Sequence, residues 1–148
     1  MNKQPAKTDY SPVIDLLNQV LTLEYSIIIH FPRISGVFKD RDIRDKALYL
    51  SSASVKHAGV VSEAIESLGG KAEWNFEPFP DDGNLVRMFE EQVDKEKLAH
   101  RLHMECVKLL PEGLKPKFRQ IAAEEEWHEK IASEVLQYLR ARSETISG

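Results

Sequence analysis

The chain has 148 residues, of which 42% are hydrophobic and 30% charged, and its formal net charge is −4. That length supports one domain, 1–148, with a substantial core and leaves no comfortable room for a second. Interspersed acids and bases argue against a nucleic-acid surface, and the single cysteine, Cys106, excludes an internal disulfide or a Cys-x-x-Cys metal ribbon. The longest apolar run, around Ile27, Ile28 and Ile29, is too short to cross a bilayer. No apolar stretch follows residues 1–7 that could serve as a signal peptide, so a cytoplasmic, reducing setting is expected.

Four segments carry a 3.6-residue apolar rhythm and none alternates as a strand would, so the expected class is all-α. The first helix is expected to start after Ser11, with Pro12 at a favourable first position. Its stripe is Ile14, Leu17, Leu21, Glu24 and Ile28, and Pro32 should end or kink it. The second helix is predicted over about 42–68, with Ile43, Ala47, Leu50, Ser54, His57, Val61, Ala64 and Leu68 on one face and Gly69-Gly70 as its stop. The third is predicted over about 84–110, with Leu85, Phe89, Gln92, Glu96, Ala99, His103 and Leu110 aligned. The fourth should begin between Pro111 and Pro116 and carry Phe118, Ile121, Glu125, His128, Ala132, Val135 and Leu139.

Short connections make helices one and two, and three and four, antiparallel hairpins. The stretch 69–83, with Pro78, Pro80 and two aromatics, is long enough to run the length of the bundle. A second helix of about 27 residues measures ~40 Å, whereas fifteen extended residues reach ~50 Å. The expected architecture is therefore an antiparallel four-helix bundle with one long crossover, spanning about 12–140 with polar termini.

Polar residues in the apolar stripes carry the chemistry. Glu24 is followed at offsets of 30 and 33 by Ser54 and His57, and Glu96 at offsets of 29 and 32 by Glu125 and His128. Two copies of one hairpin would thus bring carboxylates and histidines to the same depth. Residues i and i+3 share a helical face, so Glu125 and His128 can hold one metal together. Carboxylate oxygen with imidazole nitrogen suits iron, manganese or zinc better than calcium or magnesium. A carboxylate from each of two helices plus Glu-x-x-His from the other two is the ligand plan of a di-metal bundle. Glu24, His57, Glu96, Glu125 and His128 supply five of those six ligands, and Ser54 stands where the sixth belongs. Burying three carboxylates without a cation costs several kcal/mol each unless all are paired, which favours metal ligation over a metal-free pairing with the histidines.

These motifs resemble the ferritin-like superfamily, which contains bacterioferritins, rubrerythrins and related di-iron carboxylate proteins. The carriers are Leu23-Glu24-Tyr25, Ser54-Val55-Lys56-His57 with Leu68-Gly69-Gly70, Glu96-Lys97-Leu98-Ala99, and Glu125-Glu126-Trp127-His128, and the likeness runs from about Leu16 to Leu139. The resemblance implies that Glu24 and Glu96 are terminal ligands, Glu125 a bridging carboxylate, and His57 and His128 the histidine ligands. It further implies iron as the cofactor, dioxygen or peroxide as co-substrate, and ferroxidase or oxidase chemistry. A serine supplies neither the charge nor the reach of the missing bridge. Haem ligation is not expected, because Val55 occupies the place of the bacterioferritin methionine, and one cysteine leaves no rubredoxin module. Residues 141–148 are too few and polar for the additional helix of large cages, so a homodimer is the expected assembly.

An alternative is a non-enzymatic bundle that keeps one structural metal, zinc or manganese at Glu96, Glu125 and His128, or none. His103 lies two turns from Glu96, ~10.5 Å along the axis, so those two cannot share a metal. A supporting or partly exposed role is expected for it and for His100. His30 is assigned no function. Tyr25 is expected to pack, Trp127 to lie at the exterior or a dimer contact, and Cys106 to be a buried thiol.

Overall fold

A computed structural model describes residues 8–34, 36, 38–77 and 83–147. Four helices account for most of them: α1 (Ser11–Ile34), α2 (Arg41–Ser67), α3 (Leu85–Leu109) and α4 (Lys115–Ser147), with a short 3₁₀ turn at Glu112–Leu114 before α4. The all-α bundle expected from the sequence is what forms, and no strand occurs among the described residues.

Helix boundaries follow side-chain chemistry. Asp40 caps α2, its carboxylate accepting from the backbone N–H groups of Asp42 and Ile43. Asn84 does the same for α3 through the N–H of Arg87. At the end of α2, Gly69 N–H bonds to Glu66 and Gly70 N–H to Ile65, with Gly69 at φ 85°. Those two bonds are a Schellman stop, which needs a residue that tolerates the left-handed region. Gly70 also lets α1 approach, since a Cβ there would meet Ile14 Cγ2 at 2.8 Å.

Two boundaries differ from expectation. Pro32 does not end α1, which continues to Ile34. A proline in the last turn gives up one backbone bond while its fixed φ stays helical, and Phe31 is wholly buried there, stacked on Phe89 at 5.6 Å. At the other end of the chain, residues 141–147 are not a tail beyond the bundle but continue α4 to Ser147. The crossover prolines 78 and 80 lie outside the described residues.

The crossover course can be read from its contacts with α1. Asn18 bonds the backbone at Lys71 and Glu73, and Ser26 accepts from the N–H of Glu77. The chain thus ascends along α1 in the same direction as α1 itself and starts α3 at the far end. Two apolar clusters confirm the resulting order. One gathers Ile27, Phe31, Ile43, Leu50, Phe89 and Val135; the other gathers Val13, Leu17, Val61, Ile65, Cys106 and Phe118. Hence α1 and α4 run one way, α2 and α3 the other. Residues 11–32 are long and apolar enough by composition to cross a membrane, contrary to the reading of the sequence, but in the fold half of that stretch is buried within the bundle. Between the two apolar clusters lies a layer of buried polar side chains.

Candidate metal centre

That middle layer contains Glu24 from α1, Ser54 and His57 from α2, Gln92, Glu96 and His103 from α3, and Glu125 and His128 from α4, all at most 2% exposed. Each lies in the apolar stripe of its helix, so the packing that buries the stripe carries the polar group inward. All five sequence-predicted ligands therefore meet in one place, together with the serine.

Glu125 stands at the centre of the cluster. Its Oε1 is 2.9 Å from His57 Nδ1, and that same nitrogen is 3.5 Å from Glu24 Oε1. Its Oε2 faces the other way, 3.8 Å from His128 Nδ1, which is itself 3.9 Å from Glu96 Oε2. One carboxylate thus presents a separate oxygen to each half of the cluster. Two overlapping triads, His57–Glu125–His128 and Glu24–His103–Glu125, each offer three ligand atoms within 4.8 Å of one another.

Sequence reasoning missed three participants. Glu124 precedes Glu125 and lies off the stripe, yet its Oε2 is 2.6 Å from His57 Nε2. Gln92 was aligned on the stripe without a role, and its amide donates to Glu96 Oε1 at 2.6 Å. His103, for which a supporting or partly exposed role was expected, is completely buried, with Nε2 at 3.7 Å from Glu24 Oε1 and 4.0 Å from Glu125 Oε1. An i−4 and an i+7 offset from Glu96 were the available signals for Gln92 and His103. His100 instead points outward and engages the carbonyl of Ala122 through Nδ1 at 2.9 Å. His30 Nε2 contacts Met88 Sδ at 3.3 Å, away from the cluster. Tyr25 packs edge-on against Trp74, Trp127 is exposed, and Cys106 is buried, its thiol pushed up to about 12 by burial and the Glu105 charge.

The electrostatics of this layer are those of an anionic pocket short of cations. Burial and the neighbouring Glu125 hold Glu96 well above the usual carboxyl range. Burial and the Glu24 charge likewise raise Glu125 to about 7. Burial would raise Glu24 too, but the close approach of the His103 and His57 imidazoles to its Oε1 keeps it well below its ordinary value. Burial alone would depress His57, yet Glu125 and Glu24 outweigh it and raise the imidazole to about 11. His128 is lowered, chiefly by burial.

Hydrogen bonding within the protein does not saturate this layer. Both oxygens of Glu24, Oε2 of Glu96, Oε2 of Glu125, Oε1 of Gln92 and both ring nitrogens of His103 are buried without a hydrogen-bond partner. Such groups carry the desolvation cost of the lost bond. The orphaned atoms are almost all oxygen and nitrogen lone-pair donors converging on one volume, which is the donor chemistry that divalent transition metals take. A cleft of about 580 Å³ between α2 and α4, lined by Tyr49, Lys56, Gln120, Glu124 and Trp127, reaches His57 and His128 from outside.

No protein-family model matches the sequence, and no curated protein matches it. Solved structures do match the fold. A ferritin-like, diiron-carboxylate protein of Bacillus anthracis superposes with TM-score 0.79 at 20% identity, over 88% of this chain and 99% of its own. The dodecameric thioferritin of Bacteroides fragilis gives 0.78 at 19% identity, over 94% and 92%. A Desulfovibrio desulfuricans bacterioferritin gives 0.78 at 18% identity, over 92% and 84%. The chain has the ferritin-like fold, as its spaced motifs led us to expect.

Proposed function

We propose that this protein is a ferritin-like metal protein whose buried middle layer binds a pair of divalent ions, iron foremost, and serves as a ferroxidase or peroxide-consuming oxidase. The observation that carries this reading is Glu125, whose two oxygens face Glu24 and His57 on one side and Glu96 and His128 on the other. Glu24 and Glu96 would be terminal ligands, His57 and His128 would bind through Nδ1, and Glu125 would span both positions. Bound iron would supply the electrons for reduction of dioxygen or peroxide. The surrounding residues would position the ions, exclude bulk water and manage protons. The α2–α4 cleft offers an entry route to the layer. The diiron-carboxylate and bacterioferritin structures of the same fold support iron as the metal.

Charge balance supports a role for Glu124. Two divalent ions bring four positive charges, and Glu24, Glu96 and Glu125 bring three negative ones. Ser54 leaves the fourth missing, and Glu124, held to the outer nitrogen of His57, supplies it one bond further out. Anaerobic Fe(II) titration followed by oxygen is the direct test. Two ions per chain and rapid oxidation are expected; saturation below two, or oxygen uptake at background, would overturn the oxidase.

Ser54, neutral and buried, favours one rival: a single structural zinc or manganese at Glu96, Glu125 and His128. It predicts one ion per chain and a metal-dependent thermal midpoint without oxygen consumption. The proposed assembly is a homodimer. Exposed Trp74 and Phe76 on the crossover, 6.3 Å apart, support an interface of that kind. Light scattering at the mass of two chains is the expected result, and a dodecamer would overturn it.

A further inference from the structure

We infer that His103 is itself a metal ligand, completing with Glu24 and Glu125 a position that Ser54 leaves one donor short; this rests on the metal-centre reading above. Residue 103 sits two turns beyond Glu96 on the same face of α3. It cannot share an ion with Glu96, but α1 runs antiparallel to α3 and presents Glu24 at the depth of His103. Nε2 of His103 lies 3.7 Å from Glu24 Oε1 and 4.0 Å from Glu125 Oε1. These separations are wider than hydrogen bonds, and the three donor atoms fall within 4.8 Å of one another. Atoms that share one metal are spaced in this way, because each approaches the ion at about 2 Å.

A structural histidine would look different. Any imidazole carries at least one N–H that needs an acceptor when buried. His103 is wholly buried, and neither of its ring nitrogens has a hydrogen-bond partner. Phe118 packs against the ring at 5.7 Å and helps fix its orientation. The ring is therefore held by an apolar contact while its Nε2 is directed at two carboxylates. A metal would satisfy that nitrogen and both facing oxygens together.

The consequence is an unequal pair of positions. The sixth ligand would be replaced by a neutral nitrogen from a different helix, giving three imidazoles and three carboxylates in place of two and four. Imidazole donors suit zinc and copper as well as iron, so the position beside His103 should tolerate them.

The test is a Zn(II) titration of ¹⁵N-histidine-labelled protein, read by long-range ¹H–¹⁵N imidazole spectra. Three metal-shifted imidazoles are expected, and one of them should be bound through Nε2. His57 and His128 present Nδ1, so the Nε2-bound ring identifies His103 without any variant. In His103→Asn that set of signals should vanish and zinc affinity should fall by about tenfold or more, with the other two rings still bound. Only two shifted rings in the parent protein, both through Nδ1, would overturn the inference and leave the metal centre standing. No shifted ring at all would overturn the metal centre and this inference with it.

Discussion

Glu124 Oε2 sits 2.6 Å from His57 Nε2, on the opposite side of the ring from the Nδ1 that faces Glu24 and Glu125. With a metal on Nδ1, the outer carboxylate would keep the remaining ring proton on Nε2. Partners of this kind set the orientation and basicity of histidine ligands. Burial disfavours the Glu124 anion, but the hydrogen bond from His57 overcomes it and holds the carboxyl below its ordinary value. We predict that Glu124→Ala weakens metal binding by roughly 10–100-fold. Glu124→Gln should fall between the two, because an amide oxygen keeps the acceptor and loses the charge. Chelator competition with Co(II) measures both; equal affinity in all three proteins would remove Glu124 from the centre.

Ser54→Glu tests what the missing carboxylate costs. Ser54 is buried on α2 one turn before His57, so the longer side chain should point into the layer. Without metal, a fourth carboxylate in a site where burial and mutual repulsion already push Glu96 and Glu125 upward should destabilise the fold, by several kcal/mol if it stays ionised. With metal the sign reverses, and iron binding and oxidation should both strengthen. Thermal melts with and without Fe(II) should therefore move in opposite directions. A variant that melts lower under both conditions would show that serine is required by packing.

Metal binding should release protons. His57, raised to about 11, holds its second proton at neutral pH in the metal-free protein, Glu125, raised to about 7, is partly protonated there, and Glu96 is shifted upward in the same direction. Ligation needs all three deprotonated. Affinity should accordingly rise with pH through the neutral range, with heats of Zn(II) binding that depend on the buffer's ionisation enthalpy. The metal-free fold responds with the opposite sign. The folded His57 value lies above its unfolded 6.5, so its contribution is full below that value and is lost as pH climbs toward about 11. Binding without proton release would mean that the ion avoids these side chains.

Much of this was legible because a helix repeats every 3.6 residues and a bundle buries one stripe per helix. Ile43, Ala47, Leu50, Ser54, His57, Val61 and Ala64 were placed on one face by spacing alone, and all are buried. Periodicity compares residues within a helix, and it failed where the partner lies across the bundle. His103 was measured against Glu96, its own neighbour, while its contacts are with Glu24 and Glu125. Glu124 adjoins the stripe rather than lying in it, so spacing gave it no role, yet it reaches His57 across the bundle. Glu63 and Asp94 are both exposed, so neither supplies the carboxylate that Ser54 lacks.

Thermal stability separates the two-metal oxidase from the structural-metal alternative and from a metal-free bundle. An ion that binds only the folded chain adds about 2.7 kcal/mol when free metal is a hundred times the dissociation constant. For a domain of this size each kcal/mol raises the midpoint by roughly 2–4 °C. Saturating Zn(II) should therefore raise the midpoint by about 5–10 °C over protein held in chelator. The increment should shrink in Glu125→Gln, because that side chain faces every other ligand in the layer. It should shrink less in Glu96→Gln, which leaves the Glu24–His103–Glu125 triad intact. Equal losses in the two variants would point to a single ion at Glu96, Glu125 and His128, and identical midpoints with and without metal in the parent protein would show a bundle that folds around its carboxylates unaided.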